Sequence, residues 1–188
     1  MNILADNLAA GLEAVRFVKG KMRFGARNKP SDIIRSWGES ISCVDNLRDE
    51  AAATDTRLLK DYANNRKAGI ERELEYTAAM AAHMGCGNCN EQAALAFIYL
   101  RDKGVFPLDW VNKENVFLKF GGHSFVVIGR LSGKVSPAEW GSDAVICDPH
   151  GEETAFPASQ IAHKMSGIIV KGMIRLDQLS DSSIRVAF

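Results

Sequence analysis

The sequence has little that points to a membrane or to a nucleic acid. No apolar run approaches the length needed to span a bilayer, and Asp6 and Glu13 interrupt the N-terminal apolar segment, so we predict no secretory signal peptide. Lys and Arg together number 23, as do Asp and Glu. This balance argues against a nucleic-acid partner, which would need a basic face. One basic stretch, from Arg16 to Lys29, is interpreted as a solvated helix face.

Cysteine is also scarce, with four residues at Cys43, Cys86, Cys89 and Cys147. Two disulfides are conceivable, but in a chain of this size without a signal peptide we expect free thiols. Cys86 is interpreted as a structural or incidental thiol, and Cys147 as a small core residue of a sheet. We expect synthesis in the cytoplasm, and export into a target cell without a classical signal stays open.

Helical and strand patterns divide the chain near residue 84. Apolar residues recur at helical spacing over residues 2–24 and 31–83, and an amphipathic helix is predicted from Cys89 to about Asp102. A further helix is predicted over 157–165. Strands are predicted over 116–120, 124–130, 144–147, 167–176 and 184–188. Helices followed by strands indicate an α+β fold, in which an antiparallel sheet packs against the helix that precedes it.

The start of the Cys89 helix has the features of a reactive thiol site. Asn88 can be the N-cap, and Glu91 can return a hydrogen bond to the cap amide. A thiol in the first turn lies near the positive end of the helix dipole and near unpaired N–H groups, which favour the nucleophilic thiolate. The amide of Cys89 can also help to hold an oxyanion. We therefore predict Cys89 to be a nucleophile.

A nucleophilic cysteine needs a base and a third group that orients the base. His123 opens the β-branched run at 124–130, directly after two glycines, and Asp148 ends the strand at 144–147 before Pro149. Alternation puts Asp148 in register with Ala144 and Ile146. The separations of 34 and 25 residues allow a helix with its connection, and then a hairpin. The sequence therefore predicts a Cys89, His123, Asp148 triad.

This order of motifs resembles the papain-fold and transglutaminase-like cysteine hydrolases. The resemblance covers residues 85–176 through Gly87-Asn88-Cys89, the His123 strand and Cys147-Asp148-Pro149, with Trp140 ahead of the aspartate. It is nearest to papain-fold toxin and effector domains, several of which deamidate glutamine. The resemblance implies a central helix packed on an antiparallel sheet. We interpret Trp140 as a core residue, although in the resembling family an aromatic residue often lines the acyl site. The resemblance also implies a protein substrate and no metal or organic cofactor.

Two positions depart from the papain pattern. His83 and Met84 stand where papain-like proteases carry an oxyanion-hole glutamine, which leaves the second oxyanion donor unidentified. Asn90 follows the nucleophile in place of an aromatic residue. Both departures favour glutamine deamidation, while a protease or a transglutaminase on the same triad remains an alternative.

Alternatives to the triad use the same thiols. Cys86, Cys89, Cys147 and His150 have the residue types and pair spacing of a structural zinc site, which would make the chain an interaction module without catalysis. A Cys86/Cys89 redox pair is disfavoured, because no strand is predicted before it. His150 could replace His123 as base. We interpret His83 and His163 as surface or interface residues.

The helical first half, residues 1–84, matches no family motif. It could be a docking region, a lid, a chaperone-binding segment or part of the same domain as the catalytic core at 85–188. We expect no membrane span and no nucleic-acid partner for either part.

Overall fold

The computed structural model describes residues 2–64, 66–115, 122–132, 136–151, 154–165 and 168–176. Within these ranges six α-helices form, and short 3-10 helices occupy Pro137–Glu139 and Ala158–Gln160. The α-helices are α1 (Ile3–Lys21), α2 (Pro30–Arg35), α3 (Glu39–Asn64), α4 (Arg66–Met84), α5 (Cys89–Asp102) and α6 (Ile161–Lys164). The strands are β1 (Leu108–Asn115), β2 (Gly122–Ile128), β3 (Val145–Cys147), β4 (Ala155–Pro157) and β5 (Ile168–Leu176).

The five strands form one antiparallel sheet in the order β4-β3-β2-β1-β5. Its central strand is β2, flanked by β3 and β1, and β5 joins the outer side of β1. Five of the six α-helices of the described residues precede this sheet in the chain, and α6 lies between β4 and β5, which confirms the predicted α+β class. No helix in the described part of the chain is both long and apolar enough to cross a membrane.

The two faces of the sheet bury different hydrophobic clusters. On one face, Val126 and Ile128 of β2 pack with α5, and α1 and α4 contribute to the same cluster. On the other face, Phe125 and Val127 pack with Trp140. The alternation of β2 accounts for this division, because successive side chains point to opposite faces. Helices from the first 84 residues thus share a core with α5 and the sheet, while the proposed domain division at residue 84 stays a prediction.

Helix α5 lies at the centre of the fold. It begins at Cys89 and ends at Asp102, as predicted, with Asn88 as N-cap. The Glu91 carboxylate accepts a hydrogen bond from the Asn88 N–H at 2.8 Å, and the Asn88 side chain accepts one from the Arg27 N–H at 3.1 Å. The helix is buried on nearly all sides rather than on one face, because α1 and α4 pack against the surface that the sheet leaves uncovered.

The thiol prediction is wrong for two of the four cysteines, because Cys43 of α3 forms a disulfide with Cys86. Cys86 lies in the loop between α4 and α5, three residues before Cys89, and is completely buried. The packing of α3 against α4 brings these sulfurs together across 43 residues of sequence. Sequence spacing alone could not indicate this contact. Cys89 and Cys147 are free, as expected.

Removing this disulfide is expected to lower the free energy of unfolding by about 4 kcal/mol, because a cross-link closing a loop of this length restricts the unfolded chain. Urea unfolding of the wild type and of a Cys43→Ala/Cys86→Ala variant measures the effect. With a reductant present, the wild type should become as unstable as the variant. Equal stability of the oxidised wild type and the variant would contradict the prediction.

Most of the strand predictions are confirmed, and two strands were missed. The runs at 124–130, 144–147 and 167–176 correspond to β2, β3 and β5. Strands β1 and β4 were not predicted. The predicted strands at 116–120 and 184–188 lie outside the described residues. The helix predicted over 157–165 is a 3-10 turn followed by α6.

Candidate active site

Cys89 lies where the start of α5 meets the end of the sheet. Its side chain is partly exposed, and Sγ lies 3.7 Å from the carbonyl oxygen of Gly122, the first residue of β2. As the first residue of the helix, Cys89 has a backbone N–H without an intrahelical acceptor. Both the thiol and this N–H are therefore near the point where a substrate carbonyl could approach.

His123 joins the cysteine to the aspartate. It is the second residue of β2, and its Nε2 atom lies 2.6 Å from Oδ2 of Asp148. The Cys89 side chain lies close enough to the imidazole to help raise its pKa. Since Nε2 is engaged by Asp148, Nδ1 is the ring atom left to bond the thiol. The three predicted triad residues come from a helix start, a strand start and a strand end, and they meet in one place.

Asp148 is held rigidly. Its side chain is 0% exposed, and it follows β3 directly. The second carboxylate oxygen, Oδ1, accepts a hydrogen bond from the Gly151 N–H at 2.9 Å, while the Asp148 N–H donates to the Thr154 carbonyl at 2.7 Å. A buried carboxylate held at both oxygens can fix the orientation and tautomer of the imidazole.

The environment of His123 favours its protonated form. Burial opposes the charge, but hydrogen bonds to Asp148 and Cys89, together with the charges of these two groups, outweigh burial and raise the pKa of His123 to about 9. An imidazolium beside a thiol stabilises the thiolate. His123 can therefore carry its second proton at neutral pH.

His150 was the alternative base, and the structure gives it a different environment. Its ring centroid lies 5.5 Å from that of His123, and its Nε2 atom lies 3.0 Å from the Asn28 side-chain oxygen. Burial, followed by the positive charges of Lys29 and His123, lowers the pKa of His150 to about 4. His150 is therefore a neutral neighbour, while the ring bonded to Asp148 is that of His123.

The two histidines predict opposite pH dependences of stability. The folded pKa of His123 is about 9 against an ordinary 6.5, so its stabilising contribution is complete below about pH 6.5 and is lost as the pH rises through 9. The folded pKa of His150 is about 4, so stability falls as the pH drops from 6.5 towards 4. Urea unfolding between about pH 4 and pH 9 should therefore show a free energy of unfolding that falls at both ends of the range. His123→Gln should remove the loss of stability at alkaline pH and reduce the loss at acidic pH, because the His123 charge contributes to the low pKa of His150. His150→Gln should remove only the acidic loss. An unchanged pH dependence in these variants would contradict the assignment.

The four residues of the alternative zinc site do not converge. Cys86 is bonded to Cys43, and Cys147 is fully buried with its Sγ 3.5 Å from the Gly11 carbonyl of α1. Burial, reinforced by the charge of Asp148, raises the pKa of the Cys147 thiol far above its ordinary value. Cys147 is a core residue, as predicted. Among the described residues, no group of three or more His, Cys, Asp or Glu side chains is arranged to hold a metal ion.

Other residues singled out by the sequence lie away from the triad. Trp140 is completely buried in the cluster with Phe125 and Val127, which agrees with a core role. His83, in the last turn of α4, and His163, in α6, are exposed, as predicted for surface residues. The structure adds contacts that sequence reasoning missed, such as the Ser124 hydroxyl donating to the Asn90 side-chain oxygen at 3.4 Å. No local pattern could have indicated that pair.

Comparisons of the chain with protein-family models, curated proteins and solved structures find no match. The resemblance to papain-fold and transglutaminase-like hydrolases therefore depends on the sequence motifs alone.

Proposed function

We propose that this protein is a cysteine-dependent amidohydrolase that deamidates a glutamine side chain of a target protein. The observation that carries the proposal is the position of the His123 imidazole, which lies 2.6 Å from the buried Asp148 carboxylate and near the partly exposed Cys89 thiol. This is the arrangement that nucleophilic catalysis by a thiol requires. Glutamine as the substrate comes from the resemblance to deamidase domains.

The first half of the reaction forms a thioester. The Cys89 thiolate attacks the carboxamide carbon, and the carbonyl oxygen becomes an oxyanion, towards which the Cys89 N–H can donate. When the tetrahedral intermediate collapses, the C–N bond breaks and the His123 imidazolium gives its proton to the departing nitrogen, which leaves as ammonia. The imidazole is then neutral and the acyl group is bonded to sulfur.

The second half of the reaction hydrolyses the thioester. Neutral His123 takes a proton from water, and the resulting oxygen nucleophile attacks the acyl carbon. The C–S bond breaks, which releases glutamate and restores the thiolate beside the imidazolium. Asp148 stabilises the imidazolium in both halves without taking the proton. An amine in place of water would give transglutamination, and a peptide carbonyl in place of the carboxamide would give proteolysis.

The reactivity of Cys89 tests the activated pair. At pH 6.5 an ordinary thiol is about 1% ionised, so we expect His123→Gln to slow alkylation of Cys89 by iodoacetamide by up to about 100-fold. Intact-mass spectrometry of the native protein should show one fast adduct, because Cys147 is buried and the other two cysteines form the disulfide.

The matched control is His150→Gln, which removes a neighbouring imidazole that does not bond Asp148. It should change the alkylation rate by less than about threefold, within the range of an indirect electrostatic effect. Equal slowing in both variants, or slow labelling of the wild type, would overturn the activated Cys89–His123 pair.

A further inference from the structure

A cavity of about 220 Å³ lies beside the candidate active site. It is formed between the last turn of α1, the segment leading into α2, α2 itself and the start of α5. The lining side chains that matter are Lys19, Lys29, Asp32, Arg35, Gln92 and Pro149. Cavities that hold whole small molecules measure about 300–1,000 Å³, so this one has the size for a single side-chain group.

Two residues that line the cavity are close in sequence to members of the triad. Gln92 is three residues after Cys89, which places both on one side of α5 about 5 Å apart along the helix axis. Pro149 directly follows Asp148. A group bound in the cavity would therefore lie within a few residues of extended chain from a carboxamide at Cys89, since an extended residue spans about 3.5 Å.

The charge of the lining is positive. It carries three cations, Lys19, Lys29 and Arg35, and one carboxylate, that of Asp32. The carboxylate is engaged inside the protein: one oxygen pairs with Arg35 at 2.9 Å, and the other accepts a hydrogen bond from the Ala26 N–H at 2.8 Å. Lys19 and Lys29 belong to the basic stretch that was predicted to be a solvated helix face. In the structure they line a concave surface near the nucleophile.

We propose that this cavity binds a carboxylate side chain of the protein substrate, one to three residues from the glutamine that Cys89 attacks. This inference rests on the proposed function, which makes Cys89 the place where the substrate glutamine reacts. The positive lining attracts an acidic group electrostatically, and its position selects a glutamine in an acidic sequence context. Salt should weaken this selection by screening.

Binding and turnover can be measured separately with matched peptides. The probes are acetyl-Glu-Glu-Gln-Glu-Glu-amide and its neutral partner acetyl-Ala-Ala-Gln-Ala-Ala-amide. Binding is followed by backbone amide chemical shifts in the full-length Cys89→Ala variant, which cannot form a thioester. Turnover is followed by ammonia release with the wild-type nucleophile. The acidic peptide should bind more tightly and shift the amides of Lys19, Lys29 and Gln92.

Charge variants identify the cavity as the binding site. Lys19→Gln and Lys29→Gln should each weaken binding of the acidic peptide about two- to fivefold, the range for a partly exposed charge pair, and leave the neutral peptide unaffected. Lys103→Gln is the matched control, because it removes the same charge at the far end of α5, where Lys103 is the C-cap. That variant should bind both peptides like the wild type.

The outcomes separate the two proposals. Tighter binding of the acidic peptide that is lost in the Lys19 and Lys29 variants supports the cavity assignment. If neither peptide is then deamidated, only the proposed reaction is overturned. Deamidation of both peptides at equal rates, or equal losses in the Lys103 control, overturns the cavity assignment and leaves the reaction intact. Absence of binding by the acidic peptide overturns the cavity assignment as well.

Discussion

Replacing Cys89 by alanine is expected to abolish glutamine deamidation, lowering the rate by at least about 10⁴-fold, by analogy with loss of the nucleophile from a serine triad. Alanine can neither form the thioester nor bear the thiolate that pairs with His123. The measurement is ammonia release from glutamine peptides, together with the mass change of amide to acid in the peptide product.

The matched control for that experiment is Cys147→Ala, which removes the other free thiol. Cys147 is buried on the α1 side of the sheet, so this variant should keep its deamidation rate within about twofold while losing about 1 kcal/mol of stability. If Cys89→Ala retained activity, or if both variants lost it equally, the nucleophile assignment would be wrong.

Replacing Asp148 by asparagine is expected to slow deamidation by about 10²–10⁴-fold, the range known for losing the orienting aspartate of a triad or a general acid–base contribution. The amide is nearly the same size and can still accept the hydrogen bond from the Gly151 N–H. What it lacks is the negative charge beside Nε2 of His123. Without that charge the imidazolium loses a major stabilising partner, and the pKa of His123 should fall from about 9.

A double-mutant cycle shows whether Asp148 acts through His123. In a His123→Gln background, the further change Asp148→Asn should have little additional effect, because the two residues act as one unit. Histidine NMR titration of the single Asp148→Asn variant gives the change in the His123 pKa directly. Additive losses in the cycle, together with an unchanged His123 titration, would count against an orienting role for the carboxylate.

The disulfide adds a condition to any such assay. Cys86 lies three residues before the nucleophile, and the loop that carries both is also bonded to the segment after α1, where the Phe24 N–H donates to Gly85 at 2.8 Å and the Gly87 N–H donates to Gly25 at 3.1 Å. Reductants routinely added to protect thiol enzymes would remove one of these attachments. Activity and stability should therefore be compared with and without reductant.

The start of α5 could be predicted from the sequence because its determinants are local. A capping residue, a glutamate three positions later and an apolar run fix where a helix begins, and these are neighbours in the chain. The same holds for β2 and β3, whose β-branched runs are bounded by glycine or proline. The three triad residues lie at the ends of these local elements, so their order and spacing could be predicted as well.

Strand β1 could not be predicted in this way. Its sequence contains Asp109, two asparagines, a lysine and a glutamate, residue types that are depleted in strands. Asp109 is completely buried, and bonds from Arg130 at 2.8 Å and Arg175 at 2.9 Å compensate its charge. These arginines are 21 and 66 residues away along the chain. Ion pairs between residues distant in sequence therefore outweigh the low strand propensity of the residues in β1.

The sequence by itself determined the α+β class, the helix that presents Cys89, and the identity of the three triad candidates at the ends of their elements, because each depends on patterns a few residues long. Only the tertiary structure decided that Cys43 and Cys86 form a disulfide, that His150 is a neutral neighbour, and that Lys19 and Lys29 line a cavity beside the nucleophile. These features depend on how helices and strands distant in sequence pack together, and no local pattern encodes those contacts.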